Sequence, residues 1–234
     1  MQFSQNPGIV QRWTEPQECC DPEWEAAYLQ FETPERETAK FLRRLRRLGA
    51  AGWPRDLEVV EIFCGRGGGL KAWESLGFSL LEGVDLSENL LAQYSGPARL
   101  YVGDCRRMGL ADSSRDVICV QGGLHHLPDL LDDLRDTVSE VRRVLKPGGR
   151  FVVVEPWCTP FLRVAHALCR QPLARRISPS IDALARMIRG EEKTYARWLS
   201  RPREIRATLV QGFETEKEEI RWGKITWIGR KSAS

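Results

Sequence analysis

No apolar run in this chain of 234 residues approaches the roughly 18–20 residues that span a bilayer. The first two dozen residues, "MQFSQNPGIVQRWTEPQECCDPEW", lack the apolar stretch of a secretory signal. Cysteine is sparse and unpatterned: seven are present, an odd number, with no CxxC spacing. That argues against a disulfide framework and a structural zinc site, and fits a reducing cytoplasm. The vicinal pair Cys19-Cys20 is expected to be two loop residues. Charge of one sign is also lacking, since the net +3 is too weak to imply nucleic acid as a partner. No internal repeat or low-complexity segment breaks the chain, and its length is enough for one domain with insertions around a real core.

What is present changes character along the chain. Residues 1–21 read as irregular, and 23–48 as one or two helices. The second of these has Thr33 as N-cap, Pro34 at its first position, and Glu35 and Glu37 near the positive end of the dipole. Arg36 stands where a capping box would place Glu or Gln, so that motif is incomplete. Five short apolar runs follow, at 57–63, 79–85, 98–104, 116–122 and 150–156, most of them rich in β-branched residues. Helix-period segments separate most of them, notably 130–145, which stops at Lys146-Pro147-Gly148-Gly149. Such alternation predicts an α/β fold with a doubly wound, mostly parallel sheet. Residues 212–231 alternate in polarity and turn at Gly223, which predicts a closing antiparallel hairpin. The expected organisation is a helical extension over 1–56, a core over 57–156, a helical cap over 157–211 and a hairpin over 212–234 that completes a seven-stranded sheet.

The glycine cluster in "EIFCGRGGGLKAWESLGFSLLEGVDLS", residues 61–87, asks for a nucleotide-like ligand. Glycines at the end of the first strand let backbone approach a ligand that a Cβ would meet. A dinucleotide GxGxxG from Gly65 and Gly67 fails at Leu70. A phosphate-cradling GxxxxGK[ST] places Lys71 well but fails at Leu70 and Ala72. An adenosyl ligand without phosphate needs a tight glycine turn and an acid at the ends of the second and third strands. Asp85 and Asp104 stand at those ends, and this third reading is the one adopted.

At these residues the chain resembles the class I S-adenosylmethionine-dependent methyltransferases, in particular the group with quinone-biosynthesis and small-molecule enzymes. The resemblance covers residues 57–156 well and 212–231 more loosely. It rests on "VVEIFCGRGGG", "GVDLSENLL", "GDCRRMGLADSSRDVICVQGGLHHLPD" and "VLKPGGRFVVVEP". It implies S-adenosyl-L-methionine as cofactor, with Gly65 and Gly67 in the turn beside Cys64 and Asp85 accepting from the ribose hydroxyls. Asp104 would take the adenine amine, the Cys105 backbone N–H a ring nitrogen, and Leu86 the adenine face. Glu61 would organise the loop and the ligand's ammonium, and Gln121, closing the fourth strand, joins the cofactor site. One departure is Phe63, at the position of the family's first glycine, where it is expected to shift the turn or fill space beside the methionine tail.

Methyl transfer is an in-line displacement in which the protein mainly aligns the nucleophile and excludes water. A hydroxyl nucleophile adds a need for a base. His126 and its neighbour His125 follow the fourth strand, and Glu155 ends the fifth. Each is either a base or a packing group, and no metal ligand set is expected. Residues 157–210 hold eleven Arg and Lys against four Asp and Glu, including Arg175, Arg176, Arg201 and Arg203. Three readings stay open there: recognition of an anionic acceptor such as a sugar or lipid headgroup, solvated helix faces, or a basic amphipathic helix on a membrane surface. Trp24, Tyr28, Trp157, Tyr195 and Trp198 are candidates to wall the pocket. The expected function is methylation, by O-transfer, of a small-molecule, lipid or sugar acceptor, by a monomer or a homodimer. An RNA or tRNA methyltransferase and a non-catalytic cofactor-binding protein are the alternatives. Against the former, no RNA-binding module or dense basic stripe is visible.

Overall fold

The computed structural model describes residues 9–14 and 22–232. Cys19-Cys20 lies outside the described residues. The described residues form eight strands: β1 Ile9–Arg12, β2 Val59–Ile62, β3 Leu81–Asp85, β4 Arg99–Val102, β5 Arg115–Gln121, β6 Leu145–Pro156, β7 Phe213–Arg221 and β8 Lys224–Lys231. The helices are α1 Pro22–Phe31, α2 Pro34–Leu48, α3 Gly68–Glu74, α4 Glu88–Leu91 and α5 Leu130–Val144. They continue with α6 Pro160–Cys169, α7 Pro172–Ile177, α8 Pro179–Gly190, α9 Glu192–Ser200 and α10 Pro202–Leu209.

All strands belong to one sheet in the order β1-β4-β3-β2-β5-β6-β8-β7. Its pairings are parallel up to β6, and β8 then runs antiparallel to both β6 and β7. This is the predicted doubly wound α/β architecture with eight strands instead of seven. The extra one is β1, in the stretch expected to be irregular. Four residues carry too little pattern to declare a strand, and β1 exists because the open edge of β4 accepts it.

The central strands carry apolar residues on both faces, as a sheet covered on both sides requires. Val60, Ile62, Ile118, Val120, Phe151 and Val153 pack toward α5 and α10, and Val59, Val117, Cys119, Val152 and Val154 toward α2 and α3. α10 lies against α5 and buries Ile205 and Leu209 in the first of these cores. The C-terminal part of the expected cap is therefore a covering helix of the sheet, while α6, α8 and α9 stand over the site and α7 packs on α6 and α8.

β2 is the switch point, because β3 pairs with one of its edges and β5 with the other. The crevice a doubly wound sheet offers lies beyond such a point, at the carboxyl ends of the strands. The predicted start of α2 is formed: Thr33 Oγ1 accepts from the Arg36 N–H at 3.4 Å. Its end is closed by Gly49 in the left-handed region.

Candidate active site

β2 ends in a turn that a glycine-free strand end could not make cheaply. Gly65 has φ +52° and Gly67 φ +79°, and Phe63 has φ +55°. A bulky residue in this region is strained. Phe63 thus keeps the backbone conformation that glycine would supply instead of shifting the turn. Its ring takes the space beside Gly123, where an added Cβ would stand 2.3 Å from it. The turn is fastened to β3, since the Asp85 carboxylate accepts from the Gly65 N–H and from the Ser87 N–H, both at 2.8 Å. It is also fastened to the N-terminal helices. Arg66 donates through Nε to buried Glu37 at 2.8 Å and through Nη2 to the Glu32 carbonyl at 2.6 Å, and Tyr28 donates to Glu37 at 2.6 Å.

A cavity of about 750 Å³ opens above this turn. Glu61, Cys64, Gly65, Asp85, Leu86, Asp104, Cys105 and Gln121 all line it, whereas Gly67 stands behind it against the Tyr94 ring. Two buried acceptor atoms in its wall, Glu61 Oε2 and Gln121 Oε1, have no hydrogen-bond partner among the described residues. Burial pushes the Glu61 carboxyl up to about 8, partly offset by the Gln121 amide, 3.5 Å away. A pair of unsatisfied acceptors beside a glycine turn is what a ligand ammonium would complete. The residues present therefore fit S-adenosylmethionine at its amino-acid end.

The adenine end is more occupied than the sequence suggests. Asp104 already binds Arg106, through the backbone N–H at 2.8 Å and the guanidinium at 2.6–3.0 Å, and Arg106 reaches on to Asp133 at 2.5 Å. Burial raises the Asp104 carboxyl, and the Arg106 hydrogen bonds outweigh it to hold it low. Asp104 enters the site as half of an ion pair. Burial raises the Cys64 thiol and takes that of Cys105 up to about 12, so both are inert apolar wall.

Beyond β5 the three expected catalytic groups divide. Glu155 is fully buried and spent: Oε1 accepts from the N–H groups of Gly123 at 2.7 Å and Leu124 at 2.8 Å, and Oε2 meets His125 Nδ1 at 2.7 Å. Burial would raise its carboxyl, but the His125 charge and these donors keep it low. It does not line the cavity and is not placed to act as a base. His125 touches Glu191 with its other nitrogen at 3.3 Å. Burial disfavours its charge, yet Glu155 and Glu191 raise it to about 9, so it stands protonated and is no base either. Both histidines line the cavity, and His126 is the one left without a second ring proton. Burial and then the His125 charge push it down to about 4, so its imidazole is neutral. Trp24 meets it edge-on at 5.3 Å and also donates to Glu191. The ligating atoms of His125, His126 and Glu191 lie within 4.8 Å of one another. Both His125 nitrogens are already engaged there, Nδ1 by Glu155 and Nε2 by Glu191.

Sequence reading passed over several cavity residues. Arg44 from α2 and Lys224 from β8 line it, and neither side chain has a hydrogen-bond or ion-pair partner among the described residues. Burial lowers Arg44 to about 10, and burial with the Arg44 charge lowers Lys224 to about 7. The arginines singled out from the cap are elsewhere. Arg175 pairs with Asp182 at 2.6 Å, Arg176 is exposed, and neither lines the cavity. Of the aromatic candidates, Trp24, Tyr28 and Tyr195 wall the cavity, while Trp157 and Trp198 belong to the core.

A glycine turn on β2, an acid closing β3 and a crevice at the switch point define an adenosyl-binding doubly wound domain. Residues 60–153 match the methyltransferase domain family. That match gives the chain a methyltransferase domain over those residues, and the methyl donor such a domain implies is S-adenosylmethionine. The chain is 31% identical over 120 residues to a demethylmenaquinone methyltransferase of Staphylococcus aureus (strain MRSA252), covering 48% of each. It is 28% identical over 119 residues to an mRNA cap guanine-N(7) methyltransferase 1 of Oryza sativa subsp. japonica, covering 42% of this chain and 32% of that protein. The chain thus spans half or less of the curated relatives it matches. Among solved structures, the PH0226 protein of Pyrococcus horikoshii OT3 shares the fold over 91% of this chain and all of its own, with TM-score 0.66 at 18% identity.

Proposed function

We propose that this protein transfers the methyl group of S-adenosylmethionine to an oxygen of a small acceptor carrying an anionic group. The observation that carries the reading is continuity. One cavity joins the unsatisfied Glu61 and Gln121 acceptors, the Asp85 carboxylate, a neutral imidazole and two side-chain cations that have no hydrogen-bond or ion-pair partner among the described residues. The cofactor, when bound, supplies an activated methyl group and its own leaving group. Glu61 and Gln121 would hold its ammonium, Asp85 its ribose hydroxyls and Leu86 its adenine face. His126 accepts the hydrogen bond of the acceptor's hydroxyl and orients it. An imidazole held near 4 is too weak to strip an ordinary alcohol, so the acceptor hydroxyl is an acidic one, phenolic or enolic, or is aligned without full deprotonation. Arg44 and Lys224 bind its anionic group.

The test uses methyl-labelled cofactor with fractionated small-molecule and lipid extracts, followed by kinetics on the acceptor that takes the label. Lys224→Met should raise the acceptor KM by about ten- to a hundredfold, the worth of one charge-assisted hydrogen bond, and leave cofactor affinity alone. An anion raises the pKa of Lys224, so in the wild type acceptor binding is strongest below pH 7 and weakens as pH rises past about 7. An unchanged KM in the folded variant refutes the assignment of Lys224.

A further inference from the structure

The helices over the site present an apolar surface that is exposed among the described residues. On α6, Phe161, Val164 and Leu168 recur at the spacing of one helix face. Leu173 and Ile177 on α7, which packs on α6, extend the set, and Trp222 in the turn between β7 and β8 touches Phe161 at 5.3 Å. All six side chains are between 48% and 73% exposed. Single exposed apolar residues are ordinary, but a joined set of this size marks an interaction surface.

The charge around it says with what. Residues 157–181 contain four arginines and no acid. Arg163, Arg170 and Arg176 are exposed there, and Arg221 lies over the Trp222 ring at 5.6 Å. Apolar side chains, an exposed tryptophan and flanking arginines with no intervening carboxylate are the composition of a helix lying in the interface of an anionic bilayer. Neither helix spans it, since no described helix is long and apolar enough to cross a membrane. The surface is also continuous with the site. Phe161 and Trp222 are at least half exposed, yet they form part of the cavity wall with Leu162 and Ala165, so the cavity opens onto this face.

We propose that α6, α7 and the β7–β8 turn rest on an anionic lipid bilayer, and that the acceptor is lipid-borne and enters the cavity from that bilayer. This rests on the methyltransferase reading and narrows its acceptor class. Arginines outside the cavity hold the protein to lipid headgroups, and Arg44 and Lys224 inside it receive the headgroup of one lipid molecule.

Flotation with phosphatidylcholine vesicles, with and without phosphatidylglycerol, tests the surface. The protein should float with the anionic vesicles at low salt and less as salt rises. Val164→Glu, Leu173→Glu and Ile177→Glu, three exposed positions outside the cavity wall, should together weaken vesicle binding at least tenfold with thermal midpoint and cofactor affinity unchanged. Arg170→Ala and Arg176→Ala should each weaken binding by about fivefold on anionic vesicles only. A wild type that stays unbound at low salt overturns the proposal, as does a triple variant that floats like the wild type. So does a wild-type dimer that the triple variant splits while neither binds vesicles, because the face would then meet a second copy. Cofactor binding, measured on the same samples, separates the two readings. If it persists without vesicle binding, only the lipid surface falls, and if it is absent the methyltransferase reading falls.

Discussion

Glu61 has one buried oxygen with no hydrogen-bond partner among the described residues, and a ligand's ammonium would change its charge state. Burial holds it at about 8, so at pH 7 most of it is protonated. An incoming ammonium favours the carboxylate and expels that proton. Calorimetry of S-adenosylhomocysteine binding at pH 7, in buffers of different ionisation enthalpy, should show release of up to about one proton. The affinity should rise as pH climbs toward 8. Glu61→Gln should abolish the proton release and weaken binding by about tenfold, whereas a buffer-independent enthalpy in the wild type contradicts the assignment. His125 makes a different prediction, for stability. Its pKa is raised from 6.5 to about 9, so its stabilising contribution is complete below about 6.5 and is lost as pH rises through about 9. Denaturant unfolding should therefore give a stability that falls by roughly 2–3 kcal/mol between pH 6.5 and 9.5. His125→Gln should flatten that fall, and a wild-type stability with no slope there means the imidazole is not held charged.

At the scale of elements, the turn after β2 is the most constrained piece of backbone. Gly67 caps α3 at φ +79°, and a Cβ there would stand 2.2 Å from the Tyr94 ring. Gly67→Ala should cost at least about 1–2 kcal/mol for the left-handed backbone alone, with the clash in addition. Tyr94→Ala in the same chain should recover the clash part only. If the two losses simply add, as distant sites do, the close approach is wrong. The elements that could be read from the sequence were those with local grammar. Thr33-Pro34 announces α2, five apolar runs announce the parallel strands, and Gly223 announces the hairpin turn. Those that could not were set by neighbours. β1 is four residues completed by the edge of β4. Lys146-Pro147-Gly148-Gly149 reads as a helix stop, and it is one, but the chain passes directly from α5 into β6. The pairing of β6 with β5 absorbs those residues as an irregularity between Leu145 and Arg150. α10 carries arginines like the rest of the cap, yet its opposite face buries Ile205 and Leu209 on the sheet.

Across the whole molecule, the same division explains the site. Glu61, Gly65, Asp85 and Gln121 come from strand ends whose order is written in the sequence, and the fold brings all four to one cavity. Glu37, Arg44, Glu191 and Lys224 come from α2, from the junction of α8 with α9, and from β8. In the sequence each is one more charge on a polar face, and only tertiary packing turns it inward. Burial also decides roles that spacing leaves open. His125 and His126 are adjacent, but one is a cation locked by Glu155 and Glu191, and the other is kept neutral by burial first and by that cation second. The central claim is that the cavity at the β2 switch point binds S-adenosylmethionine through Asp85 and the glycine turn. Calorimetric titration of the cofactor into wild type and folded Asp85→Ala tests it most directly. The wild type should bind, and the variant should lose about 1.5–3 kcal/mol, or roughly ten- to a hundredfold in affinity. No binding by the wild type, or equal affinity in both, would contradict it.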